Sequence, residues 1–260
     1  MRWYEPGAAI EKRPDNRDEQ EPKGELMTTW KPIAGAAGAY TATYDFRGNA
    51  ITTLVTDLGD GQLAVYSPGT GVEESAFAEL EKIGTVAALV SPGAFHHMGL
   101  PIWHKRFPKA RLIATTSGIS HIAKQQKDLP PLEGLDALRS LAGTSLTAIE
   151  TPGKHGDLLL FYRAGAKVVV FNNELLCNME KLPPNPLFSL LFRLFKAGPG
   201  LAYNSLAAKL LGAKKRDASS MIAAAIREHG LDVYVPCHGL VIDGPDAKTR
   251  VLAVLDAAAA

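Results

Sequence analysis

The sequence predicts an α/β protein in which two mixed β-sheets pack face to face with helices on both outer sides, a four-layer αββα sandwich. Three observations carry this expectation. Each half of the chain holds a β-meander: "AYTATYDF", "NAITTLVTDL" and "QLAVYS" in the first, "LLLFYRAGAKVVVFNNELL" in the second. Each meander is joined to alternating strand and helix units. Strands such as "TVAALV" are apolar throughout, as strands become when both faces of a sheet are covered. A doubly wound single sheet is the rival architecture, and two meanders fit it poorly.

The elements follow in order. Residues 5 to 25 are rich in Glu, Lys, Arg, Asp and Pro and almost free of large apolar side chains, so burial there cannot offset the entropy of ordering. A flexible arm is expected over 1–30, ahead of a single domain over 31–260. Met27, followed by "TTWKPI", is a candidate alternative translation start. The first meander turns at "RGN" and at "GDG", the latter a strong hairpin signal. "VEESAFAELEKIG" reads as a helix, acidic in its first turn and closed by glycine. The strand "TVAALV" then runs into "SPGAFHHMGL". A short helix through Trp103 must end by Pro108. Next come a strand "RLIAT", a helix near "GISHIAKQQ" and a strand "LTAIE" leading into "TPGKHGD". The second meander turns at "AGA". Helical stretches are expected over 186–211 and 217–229, then the strand "DVYVP", "CHGL", and a closing helix near 245–258.

Composition narrows the function classes. With 28 Lys and Arg against 27 Asp and Glu, no global field draws the chain to nucleic acid or to an anionic membrane, and nucleic acid is not an expected partner. No apolar run approaches the roughly 18 residues of a spanning helix. The charged N-terminal stretch lacks the apolar segment of a secretory signal, so a cytoplasmic location is expected. Two cysteines, Cys177 and Cys237, are too few for a disulfide scaffold and are expected as free, buried thiols. No G-x-S-x-G elbow, P-loop or G-x-G-x-x-G follows a strand, which leaves serine-nucleophile chemistry and nucleotide binding without support.

Metal-capable side chains instead stand just after predicted strand ends: His96 and His97 in "SPGAFHH", His155 in "TPGKHGD", Glu174 in "FNNELLCN" and His238 in "VPCHGL". Imidazoles and carboxylates suit zinc, iron or manganese. His104, His121 and His229 lie in helical segments and read as surface or capping residues. Adjacent residues on an extended chain point opposite ways, so one of His96 and His97 is free to face away from any shared site.

In order and context these stretches resemble the motifs of the metallo-β-lactamase fold superfamily. "SPGAFHH" takes the place of T-H-x-H-x-D-H, with Pro92 and Ala94 where the first two histidines stand, His96 in place of the aspartate and His97 as the last histidine. "TPGKHGD" resembles the P-G-H loop, "NNELLCN" the strand-end carboxylate and "VPCHG" the closing histidine motif. The helix opening "KRDASSMIAAAIREHG" is similar to a poorly characterised branch with degenerate metal motifs. The resemblance implies that one of the superfamily's two metal positions is lost and that the other survives. His97, His238 and Glu174 would then hold a single zinc, iron or manganese ion, assisted by His96, with His155 contacting substrate or supporting the site. It further implies hydrolysis of an ester, amide or related bond of a small molecule. The alternative is a catalytically inactive member that uses the same cleft to bind a ligand or a partner.

"PPNPLFSLLFRLFKAGPG" carries Leu and Phe on nearly every helical face and is expected to be buried. Core packing or a homodimer contact through 186–196 is one reading. An apolar lid beside the candidate site, favouring a hydrophobic substrate, is the other.

Overall fold

A computed structural model describes residues 27, 29–46 and 49–260. Most of the expected arm, residues 1–26 and 28, lies outside the described residues. Met27 and Trp30, inside its expected bounds, are buried in the core: Met27 bridges to Val72, and the Trp30 indole donates to the Ala76 carbonyl. These two large apolar side chains pack as part of the domain, beside the first helix.

The first unit runs β1 (Lys31–Pro32), β2 (Ala39–Phe46), β3 (Asn49–Gly59), β4 (Gln62–Tyr66), α1 (Glu74–Ile83), β5 (Thr85–Ser91), α2 (Leu100–Arg106), β6 (Arg111–Ala114), α3 (Thr116–Gln125) and α4 (Leu135–Ala142). The second runs β7 (Leu146–Glu150), β8 (Leu158–Ala164), β9 (Lys167–Asn172), β10 (Leu176–Met179), α5 (Pro186–Leu194), β11 (Gly200–Tyr203), α6 (Ser205–Leu210), α7 (Lys215–His229), β12 (Val233–Pro236), β13 (Ile242–Asp243) and α8 (Ala247–Ala259). Strands β1 to β6 lie in sequence order in one sheet, antiparallel up to β4 and parallel from β4 to β6. The second sheet has the order β13-β12-β9-β8-β7 and is antiparallel except for the parallel pair β12–β9. Both sheets are mixed, as expected. Among the described residues, no helix is long and apolar enough to cross a membrane.

The period of two explains how the layers hold. In β8, Leu158, Leu160 and Tyr162 join the core between the sheets, while Leu159 and Phe161 face the helices outside. Val169 and Phe171 against Val170 in β9, and Val233 and Val235 against Tyr234 in β12, divide the same way. The outward set packs on Ile222 and Ile226 of α7 and on Val251 and Leu255 of α8. On the first sheet's outer side, Trp103 of α2 meets Phe77 of α1 edge-on at 4.9 Å.

Two expectations are corrected here. The helix predicted over 186–211 is three elements, because "GPG" interrupts it: Gly198 and Gly200 have φ of 134° and 83°, and Pro199 lacks the donor a helix needs. The chain there forms β11, which pairs with β10. The 186–196 segment is not buried all round either, since Leu187, Leu190 and Leu194 are exposed.

Candidate metal centre

Three strand ends meet at one edge of the sandwich. β5 ends in Ser91, and its hydroxyl donates to the carbonyls of Gly93 and His96, folding "SPGAFHH" back toward the sheet. β9 ends in Asn172 and is followed by Asn173 and Glu174. β12 ends in Pro236 and is followed by Cys237 and His238. The last segment is clamped on both sides. Thr52 N–H donates to the Cys237 carbonyl at 2.8 Å, and Asn178 N–H donates to the His238 carbonyl at 2.9 Å. Gly239 completes the clamp in a left-handed conformation, φ 109°, where a Cβ would come within 2.0 Å of the Asn178 carbonyl oxygen.

These elements bring His96, Glu174 and His238 together. His96 Nε2 lies 2.9 Å from Glu174 Oε1 and 3.2 Å from His238 Nε2, and His238 Nε2 lies 3.4 Å from Glu174 Oε2. Burial pushes the Glu174 carboxyl up, but the facing imidazoles of His238 and His96 outweigh it and hold the group well below the usual carboxylate range. Burial likewise pushes His238 down, and the Glu174 carboxylate more than reverses this, raising the imidazole above its ordinary value. Glu174 thus pairs with histidines rather than with a lysine or arginine.

The other nitrogen of His96 faces inward. Its Nδ1 lies 3.0 Å from Ser67 Oγ and 3.4 Å from Cys237 Sγ. Cys237 is fully buried, and desolvation holds its thiol well above its ordinary pKa. Behind Glu174 stands Asp157, also fully buried. Its Oδ2 accepts from Asn172 Nδ2 at 3.0 Å and from the backbone N–H of Glu174 and Leu175 at 2.9 and 3.2 Å, which fixes the start of the Glu174 turn. Burial, with Glu174 nearby, raises the Asp157 carboxyl to about 7.

His97, expected as a ligand, is placed apart from the Glu174 pair of contacts. It is buried with its Nδ1 3.0 Å from Gln126 Nε2, and its ring packs on His121 rather than on the Glu174 cluster. His96, in the position where the resemblance has an aspartate, is the histidine that points to Glu174 and His238. His155 stands with His121 and Phe95, at ring distances of 5.3 and 6.2 Å, and has no contact with the cluster. His121, expected at the surface, is the ring between His97 and His155. Where the superfamily has its first two histidines, the Pro92 carbonyl accepts from Leu158 N–H at 2.8 Å and Ala94 is fully buried. Ser67, Cys237 and Asp157 were not foreseen. The signals present were a lone Asp before the apolar run "LLLFY" and a Cys beside the closing His.

Among the described residues, His96, Cys237 and His238 form a group in which one ligand atom of each lies within 4.8 Å of the others. That set uses the buried thiol on the Nδ1 side of His96. The set His96, Glu174 and His238 uses the Nε2 side, which opens to a cavity that Glu174 and His238 line. The second set is the accessible one.

No protein-family model matches the chain, and no curated protein sequence matches it. Solved structures do. The metallo-β-lactamase FIM-1 from Pseudomonas aeruginosa, in its mono-zinc form, superposes with a TM-score of 0.58 at 14% identity, covering 92% of this chain and 99% of that one. A metallo-β-lactamase from Hirschia baltica gives 0.54 at 10% identity, covering 87% and 98%. The metal-soaked Flv1 flavodiiron core from Synechocystis sp. PCC6803 gives 0.56 at 14% identity over 90% of this chain, which spans 62% of that core. Two mixed sheets in this order, shared with these structures across nearly the whole length, establish that the chain has the metallo-β-lactamase fold.

Proposed function

We propose that the protein is a metal-dependent hydrolase of an ester, amide or related bond, holding a single zinc, iron or manganese ion through His96, Glu174 and His238. One observation carries the proposal. Ligand atoms about 2.0–2.2 Å from a tetrahedral ion stand about 3.3 Å apart; here the two imidazole Nε2 atoms are 3.2 Å apart, and the Glu174 carboxylate sets one oxygen 2.9 Å from His96 and the other 3.4 Å from His238. Two imidazoles and a carboxylate are a donor set that zinc and iron both accept. Three protein ligands leave a further position open toward the cavity. A bound divalent ion supplies Lewis acidity there, polarising a carbonyl and acidifying water.

The chain's own groups prepare this site. His96 must present an unprotonated Nε2 to a metal, which places the ring proton on Nδ1, where Ser67 Oγ accepts it. The Glu174 carboxylate holds the His238 imidazole above its ordinary pKa, so an ion taken up at His238 Nε2 would displace the proton that favours that pairing. Asp157 holds the backbone on which Glu174 rides, without itself reaching the cavity. The superfamily's aspartate is replaced by His96, so that position offers an imidazole in place of a carboxylate.

The test is metal content by mass spectrometry of protein purified without added metal, for wild type and for Glu174→Ala, His238→Ala and His97→Ala. About one equivalent in wild type and in His97→Ala, with a large loss in the other two, is expected. Hydrolysis of neutral esters and lactones by loaded wild type should fail in the same two variants. Far less than one equivalent in wild type, unchanged by any substitution, would instead support an inactive module that binds a ligand or partner through the same cleft. The specific observation behind that second reading is the loss of ligands at Pro92 and Ala94, where the backbone and a buried methyl fill the space.

A further inference from the structure

The cavity beside the proposed centre carries information about what the site takes. It measures about 520 Å³, within the range that encloses a whole small molecule. Glu174 and His238 form part of its wall, so a molecule filling it touches the proposed ligands directly. Most of the remaining wall is apolar: Phe46 and Ile51 from the β2–β3 hairpin, Met179 from β10, Pro183 and Pro184, and Phe192 from α5. Three asparagines also line it, and each serves the backbone. Asn49 Nδ2 donates to the Phe46 carbonyl, Asn185 Oδ1 accepts from Leu187 N–H, and Asn204 Oδ1 caps α6 through Ala207 N–H. No lysine or arginine is among the described residues of this wall.

A smaller cavity of about 190 Å³ adjoins on the other side of the same histidine. It shares Phe46, Ile51 and His238 with the first and adds His96, Phe95 and Met98. His238 therefore stands between a large apolar chamber and a small one.

We infer that the substrate is a neutral molecule with one long alkyl or aryl arm, held in the 520 Å³ chamber, and one small arm in the 190 Å³ chamber, its reacting bond at His238 between them. This rests on the hydrolase reading of the centre and adds the substrate class to it. Among the described residues of the wall, a carboxylate or phosphate on the long arm would sit beside Phe46, Ile51, Met179 and Phe192 with no lysine or arginine to meet it, which favours an uncharged arm.

Two measurements test the inference, one independent of activity. The first is binding of N-phenyl-1-naphthylamine, a neutral fluorescent probe, to the metal-free protein. Wild type and Phe192→Leu should bind it, and Phe192→Asp should bind at least ten-fold more weakly while keeping its melting temperature within a few degrees. No binding to wild type, or equal binding to Phe192→Asp, overturns the chamber assignment. The second uses metal-loaded protein and methyl esters of butanoic, hexanoic and octanoic acids, followed by acid release. Each buried methylene is worth roughly four-fold, so kcat/KM should rise at least ten-fold across the series. Methyl nonanoate should be cleaved at least ten-fold faster than monomethyl azelate, which carries a carboxylate at the far end. A flat series, or preference for the anionic ester, overturns the substrate class while leaving the hydrolase reading intact. Probe binding as expected with no ester cleaved overturns the substrate class and keeps the chamber, the hydrolase reading being decided by the metal content of Glu174→Ala and His238→Ala.

Discussion

Replacing Asp157 with asparagine should stabilise the metal-free protein at alkaline pH, although it removes a charge from a site that accepts three hydrogen bonds. Asp157 is fully buried. Its Oδ2 takes the three donors from Asn172, Glu174 and Leu175, while its Oδ1 has no partner. An asparagine oxygen in the Oδ2 position keeps all three bonds, and its NH₂ faces the Asn173 amide, whose oxygen is unpartnered and can turn to accept. The sign follows from linkage. A carboxyl that titrates at about 7 when folded and at 3.8 when unfolded binds its proton more tightly in the native state. Folding stability from this group is therefore fully present below about pH 4 and lost as pH rises through 7. At 1.36 kcal/mol per pH unit, the full loss is about 4 kcal/mol, which in a chain of this size moves the melting temperature by on the order of 10 °C. The assay is thermal unfolding by circular dichroism in the presence of a chelator, at pH 4.5 and pH 8.5, comparing wild type with Asp157→Asn at each. The comparison between proteins removes the pH response of Glu174 and His238, which both share. Asp157→Asn should gain stability relative to wild type only at the higher pH. A variant less stable than wild type at pH 8.5, or a difference that does not change with pH, would refute the reasoning.

Other predictions concern the site and its supports. Ser67→Ala removes the partner of His96 Nδ1 and should weaken zinc binding roughly 10- to 100-fold in competition with a chromogenic chelator; unchanged affinity would show that Ser67 does not orient the ring. Gly239→Ala forces a methyl against the Asn178 carbonyl and should cut both melting temperature and metal content, a loss that Gly244→Ala, with only the Asp246 side chain near its Cβ, should not match. Trp103→Ala empties a fully buried site where the indole also donates to the Gly69 carbonyl; a cost of about 3–5 kcal/mol in urea denaturation is expected. Zinc uptake by metal-free protein in weak buffer should release protons over the pH range in which His238, raised by Glu174, is an imidazolium; no release would place the ion elsewhere.

The sandwich was legible because its strands obey two simple patterns. Alternation in "AYTATYDF" and unbroken apolarity in "LLLFY" and "KVVVF" each name a degree of burial, and tertiary structure had only to agree. The 186–211 stretch misled because its leucines and phenylalanines repeat densely enough to mask "GPG", a stop signal stronger than any helical periodicity around it. At the site, motif order named Glu174, His238 and the pair His96-His97, and it assigned the principal ligand role to His97. Which of two adjacent side chains faces inward depends on the path of the loop after β5, set by the Ser91 hydroxyl bonds and not by residue spacing. Ser67 and Cys237 are 170 residues apart, at the ends of strands in different sheets, and only the packing of one sheet on the other makes them neighbours.

The sealed position of Cys237 has a practical consequence. Its sulfur lies behind the His96 ring, between Ser67 and the Thr52 carbonyl, with no exposure to solvent. A thiol reagent can reach it only after the ring swings aside or the clamp on the strand end lets go. The rate at which this one sulfur is alkylated is thus a clock for how often the centre comes apart, readable without any knowledge of the substrate.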